Sequence, residues 1–351
     1  MAVALAVAIP PAAGAVVPLK LGLHLETATP AEFSRIAVGG ADLVRLPVKW
    51  GHVQPLPDGP YDWSEYDALI GDAATAGLPV LPVIVGSPRY ARPGPAEEPT
   101  RAVDRRRFNA FVESLAARYG PGGAFWTEHP EIPPRPVGAW QLWNEPNLSH
   151  YWAGSPNARE YVALVRNMRR VILKVQPDAK IVLAGMPEQH SARPASTFLA
   201  QMYRVKGFSG LFDVAAVHAY AKRGSGVATV VRRIRGVLDA AGDTGKPIWI
   251  TELGWGSAGP VGDGRVTTPD GQAQRLSEAF TTLANGAATS KVQRVIWYSW
   301  RDPIFVPGGY DAFGLHTGLF DSAGVPKPAW STFSALAGGT LDMQPLPVPE
   351  P

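Results

Sequence analysis

Two glutamates stand where buried strands should end. The stretch Ala139-Trp140-Gln141-Leu142-Trp143-Asn144-Glu145-Pro146-Asn147 reads as an apolar strand that stops at a polar, ionisable cluster. Trp140, Leu142 and Trp143 favour extended backbone, and Pro146, with no N–H to donate, ends the ladder. Pro247-Ile248-Trp249-Ile250-Thr251-Glu252-Leu253-Gly254-Trp255 repeats the design. Each segment brings one carboxyl group to the carboxyl end of a strand, where α/β folds keep their chemistry. Two carboxyl groups facing each other across a cleft can break a glycosidic bond. One protonates the leaving oxygen, and the other attacks the anomeric carbon or activates water. A single strand-end glutamate is more often a solvated rim residue. A pair, each set among aromatic rings after an apolar strand, asks for a shared purpose.

The segments around this pair alternate between two periods. Strands are expected at Leu19 to Glu26, Leu43 to Trp50, Leu78 to Val85, Ala139 to Glu145, Lys180 to Met186, Phe212 to Ala219, Lys246 to Thr251 and Gln293 to Trp300. Helical spacing separates them, as in Phe108, Phe111, Val112, Leu115 and Tyr119, or Val162, Val165, Met168, Ile172 and Val175. Thr29-Pro30-Ala31-Glu32 and Asp62-Trp63-Ser64-Glu65 read as capping boxes, and Gly338-Gly339 as a helix stop. Eight strands alternating with eight helices predict a single-domain TIM (β/α)8 barrel over residues 18–342, with a Pro-rich tail at 343–351. Long loops are expected at Gly86 to Thr100 and Gly120 to Pro136.

A barrel gathers strand ends at one mouth. That adds His24, Glu26, Arg45, Trp50, His218, Tyr220, Trp255, Tyr298 and Trp300 to Asn144, Glu145 and Glu252. Trp50, Trp152 and Trp255 are expected as stacking platforms for several sugars in a row, and Glu26 as the partner of His24. Strict alternation would put Asn144 and Glu145 on opposite faces, so both reach the mouth only if the strand bends or bulges there.

Composition narrows the partners. With 33 basic and 30 acidic residues and no Lys/Arg-rich run, neither nucleic acid nor an anionic membrane surface is expected. The 11 Trp and 10 Tyr supply flat rings suited to the apolar faces of sugars. No cysteine is present, which fits export without disulfides and cytosol alike. Ala2 to Ile9 is an apolar run too short to span a bilayer, and Ala13-Gly14-Ala15 resembles a signal-peptidase site. Residues 1–17 therefore read as a signal-peptide remnant or disordered leader, and the protein as secreted or of the cell envelope. Neither a metal-ligand framework nor a G-x-G-x-x-G loop is seen, so no metal and no cofactor are expected.

Trp143-Asn144-Glu145-Pro146-Asn147-Leu148, followed by Tyr151-Trp152, resembles the acid/base motif of clan A glycoside hydrolases. Thr251-Glu252-Leu253-Gly254-Trp255 is similar to the clan's nucleophile motif, and His218-Ala219-Tyr220 to its strand-six His-x-Tyr. The resemblance is closest to the xylosidase/iduronidase-type family and its endo-acting relatives. It implies a retaining enzyme with Glu145 as acid/base and Glu252 as nucleophile. Arg45 and Tyr220 would hold Glu252, Asn144 would bind the sugar 2-hydroxyl, and Trp300 would be the floor beneath the sugar. It also implies a non-proline cis peptide at Trp300-Arg301. The extra β-sandwich of the xylosidases and iduronidases is not read in this chain, so the mouth is expected to be a groove and cleavage of a polysaccharide or oligosaccharide to be endo. An exo-acting β-xylosidase-like enzyme and a catalytically inactive glycan-binding barrel are the alternatives.

Overall fold

The computed structural model describes residues 19–92, 98–189, 193–304 and 308–347. The leader at 1–17 lies outside the described residues, as does 348–351 of the tail. Eight strands form: β1 (Lys20–His24), β2 (Val44–Lys49), β3 (Val80–Val85), β4 (Ala139–Leu142), β5 (Lys180–Leu183), β6 (Ala215–His218), β7 (Ile248–Leu253) and β8 (Val292–Tyr298). All neighbours pair in parallel in the order β5-β4-β3-β2-β1-β8-β7-β6. The ring is drawn together between β5 and β6 by a bridge of Val182 with Val214, the Leu183 N–H donating to the Val214 carbonyl at 3.1 Å. This is the expected (β/α)8 barrel.

Period-two alternation sends one side chain in two inward. Leu43, Leu81, Val182, Val214, Ala216, Trp249 and Ile296 meet in one compact cluster inside the ring. They fill the barrel below the site, so the mouth has a floor. The larger core lies between the strands and the helices that cover them. Those helices are Pro30–Val38, Ser64–Thr75, Ala102–Tyr119, Ala158–Val175, Ala195–Tyr203, Val227–Ala240, Pro269–Ser290 and Pro328–Ala337. Among the described residues no helix is long and apolar enough to cross a membrane.

Local signals largely set the helix ends. Thr29 and Glu32 form the expected reciprocal capping box, and Gly338, at φ 71°, stops the last helix. The second expected box is displaced. Trp63 is the N-cap, and the Asp62 carboxylate accepts from the Ser64 N–H and hydroxyl instead. The loop expected at Gly120 to Pro136 contains a short helix, Ala124–Glu128, that buries Phe125 and Trp126. The Pro-rich tail, as far as residue 347, lies against the barrel: Leu346 is buried and its N–H donates to the Gly324 carbonyl.

Candidate active site

Arg45 is the hub of the mouth. Strand β2 points Arg45, Pro47 and Lys49 into the cleft by simple alternation. The Arg45 side chain is 1% exposed and every branch of its guanidinium is used. Nε donates to Gln141 Oε1 at 2.8 Å, Nη1 to Glu252 Oε1 at 2.7 Å and Nη2 to Asn144 Oδ1 at 2.9 Å, while Nη1 also lies 3.1 Å from His24 Nδ1. A buried guanidinium needs such saturation, since an unpaired one would be costly. Gln141 is itself fixed by donating to the Leu183 carbonyl and the Thr251 hydroxyl.

Glu252 lies within β7, one residue before its end, not beyond the strand as expected. A register shift in the pairing of β7 with β8, between Ile250 and Leu253, accompanies its turn into the cleft. Arg45 holds one of its oxygens, and the Tyr220 hydroxyl donates to the other at 2.7 Å. Burial, and then the neighbouring Glu252 charge, push the Tyr220 phenol well above its ordinary range, so it serves as a donor.

Asn144 and Glu145 both reach the cleft, and the backbone shows how. Trp143 has φ 76° and Glu145 has φ 44°, left-handed values that side chains rarely adopt. They break the alternation at the end of β4. The Glu145 N–H donates to the Gly185 carbonyl at 3.0 Å, which anchors this turn. Burial pushes the Glu145 carboxyl up to about 7, with Arg45 opposing. A carboxyl group that keeps its proton near neutrality is suited to general acid work.

His218 stands between the two carboxyl groups. Its Nδ1 is 2.7 Å from Glu145 Oε1 and 3.3 Å from Glu252 Oε2. Burial pulls its pKa down to about 3, so the ring is neutral. Nε2 has no hydrogen-bond partner and faces Gly185, where an added Cβ would lie 2.0 Å away. The ring hydrogen therefore belongs on Nδ1, the nitrogen with acceptors in reach. Glu145, His218 and Glu252 offer three polar atoms within 4.8 Å of one another, a spacing that a metal ion could also use. Here Arg45 already brings positive charge to Glu252. His24 is buried, which lowers its pKa, and its ring stacks on Tyr298 with centroids 4.9 Å apart.

The tryptophans are the correction. Trp50, Trp152, Trp255 and Trp300 are at most 2% exposed and offer no open face to a sugar, although Trp300 borders the larger cavity beside β1 and β8. Trp50 packs on Phe108 and Phe111, Trp152 against Tyr161, Trp255 against Trp297, and Trp300 against Phe320 and Trp330. Their indole N–H groups are also taken, by Gln54, Glu160, the Ala221 carbonyl and Glu32 in turn. The non-proline cis peptide is at Tyr298-Ser299, two residues before the expected bond. The tyrosine rings that line the cleft are Tyr298, expected at the end of strand eight, and Tyr151, which was not expected there. Gln141 was also not expected at the site, and its signal is a polar side chain inside an apolar strand.

The glycosyl hydrolase catalytic core family model matches residues 136–331, more than half of the chain. No curated protein matches the sequence. Among solved structures, a family 39 glycoside hydrolase from Bacteroides cellulosilyticus WH2 superposes with a TM-score of 0.69 at 19% identity, over 91% of this chain and 63% of that one. A monomeric β-xylosidase from Caulobacter crescentus CB15 gives 0.64 at 20% identity, over 91% and 69%. A GH5_18 protein from Bifidobacterium longum subsp. infantis gives 0.68 at 15% identity, over 92% and 79%. At these identities the likeness is one of fold. This chain spans less than two thirds of the first of these structures.

Proposed function

The chain belongs to the glycosyl hydrolase catalytic core family, and from that premise we propose that it is a retaining β-glycoside hydrolase of clan A type. As a glycoside hydrolase it acts on a carbohydrate. The observation that carries the retaining reading is the closeness of the two carboxyl groups, whose nearest oxygens lie within 4.8 Å. Retaining enzymes need about 5–5.5 Å between the carboxyl groups, whereas inverting ones need about 6.5–9.5 Å to admit a water.

In the first step a Glu252 oxygen bonds to the anomeric carbon as the bond to the leaving oxygen breaks. Glu145 gives that oxygen its proton. In the second step Glu145, now a carboxylate, takes a proton from water as the water oxygen attacks the anomeric carbon and Glu252 departs. Arg45 and Tyr220 keep the Glu252 oxygens aimed. Arg45 occupies the Asn144 carbonyl oxygen, leaving the amide N–H groups to donate to a sugar hydroxyl.

We propose further that cleavage is endo and that the substrate is a polysaccharide or oligosaccharide, because the cleft continues past the catalytic group toward β1 and β8. Export, read from the leader, is likewise a proposal, tested by cell fractionation. The test of mechanism is covalent trapping with activated 2-fluoro-glycosides, followed by peptide mapping. An adduct on Glu252 and a first-formed product of unchanged anomeric configuration are expected. An inverted first product, or an adduct elsewhere, refutes the assignment.

A further inference from the structure

The catalytic cavity, of about 220 Å³, opens into a larger one of about 700 Å³ beside the ends of β1 and β8. His24, Glu26 and Tyr298 line both, so the two are lobes of one cleft and these residues form the sill between them. Glu145 rises from β4, and β1 and β8 stand three and four strands further round the ring. A general acid must face the leaving oxygen, so the departing half of the substrate lies toward β4. The second lobe is left to the half retained on Glu252.

The charged residues of its wall, Glu26, Glu32, Arg301 and Asp302, are all paired, Lys49 from the catalytic cavity and Lys327 from behind the wall completing the set. Lys49 Nζ lies 2.7 Å from Glu26, Arg301 2.9 Å from Glu32, and Lys327 2.5 Å from Asp302. Such a wall offers donors and acceptors together but no net charge, which suits hydroxyl groups and gives an anionic sugar no unpaired cation. The three pairs differ in access. The Glu32 and Asp302 side chains are 7% and 10% exposed and brace the wall, whereas Glu26 is 57% and Lys49 37% exposed. Of the three, only the pair at the sill can meet a ligand with both partners.

We propose that the second lobe binds uncharged sugars on the retained side of the scissile bond, and that the Glu26–Lys49 pair at its sill is the specificity-determining group. The carboxylate accepts from sugar hydroxyls, and the ammonium donates to a hydroxyl or ring oxygen of the same sugar. The proposal rests on the assignment of Glu145 as acid/base, which sets the direction of the chain.

The test is calorimetric titration of a Glu145→Gln background with neutral β-linked gluco-, xylo-, manno- and galacto-oligosaccharides of two to six sugars, and with uronate-containing chains of the same lengths. Affinity for the best neutral series is expected to rise with length. Adding Glu26→Ala should weaken the longer chains by about 10- to 100-fold, the range expected for losing a hydrogen bond to a charged group. Ser322→Trp, which places an indole in the second lobe, should remove the length dependence without touching the sill. Length dependence surviving both changes, or uronate chains binding more tightly than neutral ones, overturns the proposal. Trapping on Glu252 reports separately on the catalytic assignment, so a failure there is distinguished from a failure here.

Discussion

The proton of Glu145 should set the alkaline limb of the pH–rate profile. Burial raises this carboxyl from the ordinary 4.5 to about 7. At 1.36 kcal/mol per pH decade, the fold favours the protonated form by roughly 3 kcal/mol. Hydrolysis of a substrate with a poor leaving group needs that proton, so kcat/KM should fall about tenfold per pH unit above 7 and about 100-fold by pH 9. A dinitrophenyl glycoside, whose leaving group needs no proton, should lack this limb in its glycosylation step. Glu145→Ala should leave that substrate's kcat/KM flat over the same range. The same linkage acts on folding. The stability supplied by the protonated group is complete below about 4.5 and lost as pH rises through about 7. Glu145→Gln, which cannot ionise, should therefore gain stability over the native protein as pH rises from about 4.5 to about 7, by up to about 3 kcal/mol in denaturant titrations, and keep that gain at higher pH. An alkaline limb that persists in Glu145→Ala, or a Glu145→Gln protein whose relative stability does not change with pH, refutes the reasoning.

Arg45→Met should lower kcat/KM by about 100-fold or more and cost about 3–5 kcal/mol in urea unfolding, because it leaves the Glu252 carboxylate and the Gln141 amide oxygen without their donor. Gly185→Ala should drive His218 out of place, since the new Cβ would stand 2.0 Å from Nε2. Steady-state kinetics should show kcat falling by about tenfold or more while circular dichroism keeps the barrel signature. Trp50→Ala should cost about 3–5 kcal/mol of stability in denaturant titrations, as for a fully buried ring, and leave the dependence of rate on substrate length unaltered.

The barrel was legible because its signals are redundant. Period-two apolar runs, Thr29 with Glu32, and the helical spacing of Val162, Val165, Met168 and Ile172 each report an element on their own. The meeting of Glu145, Glu252, Arg45, His218 and Tyr220 was legible for a related reason: a polar side chain at the end of an apolar strand has few bland explanations. The tryptophans were not. An indole is as fit for a core as for a sugar face, and the choice depends on neighbours distant in sequence, such as Phe108 for Trp50 or Trp330 for Trp300. The turn at Trp143 and Glu145 was foreseeable as a need and not as a conformation, because neither residue type favours positive φ. The displaced cap at Asp62 is a one-residue shift in a motif whose letters still matched.

The closure between β5 and β6 has a further meaning. Low on the seam, the Val214 and Asp213 N–H groups donate to the Ile181 carbonyl. High on it, the His218 N–H reaches the Met186 carbonyl at 3.0 Å, and on the other side of β5 the Glu145 N–H reaches the Gly185 carbonyl at 3.0 Å. His218, which stands between the two carboxyl groups, thus also clasps the ring, and the end of β5 holds both it and Glu145. Loosening the clasp would unfasten the barrel beside the proposed acid and nucleophile, and a ligand that tightens that group would fasten it. In deuterium exchange, the amides of Glu145 and His218 should therefore slow together when the cleft is filled, as two stitches on one thread.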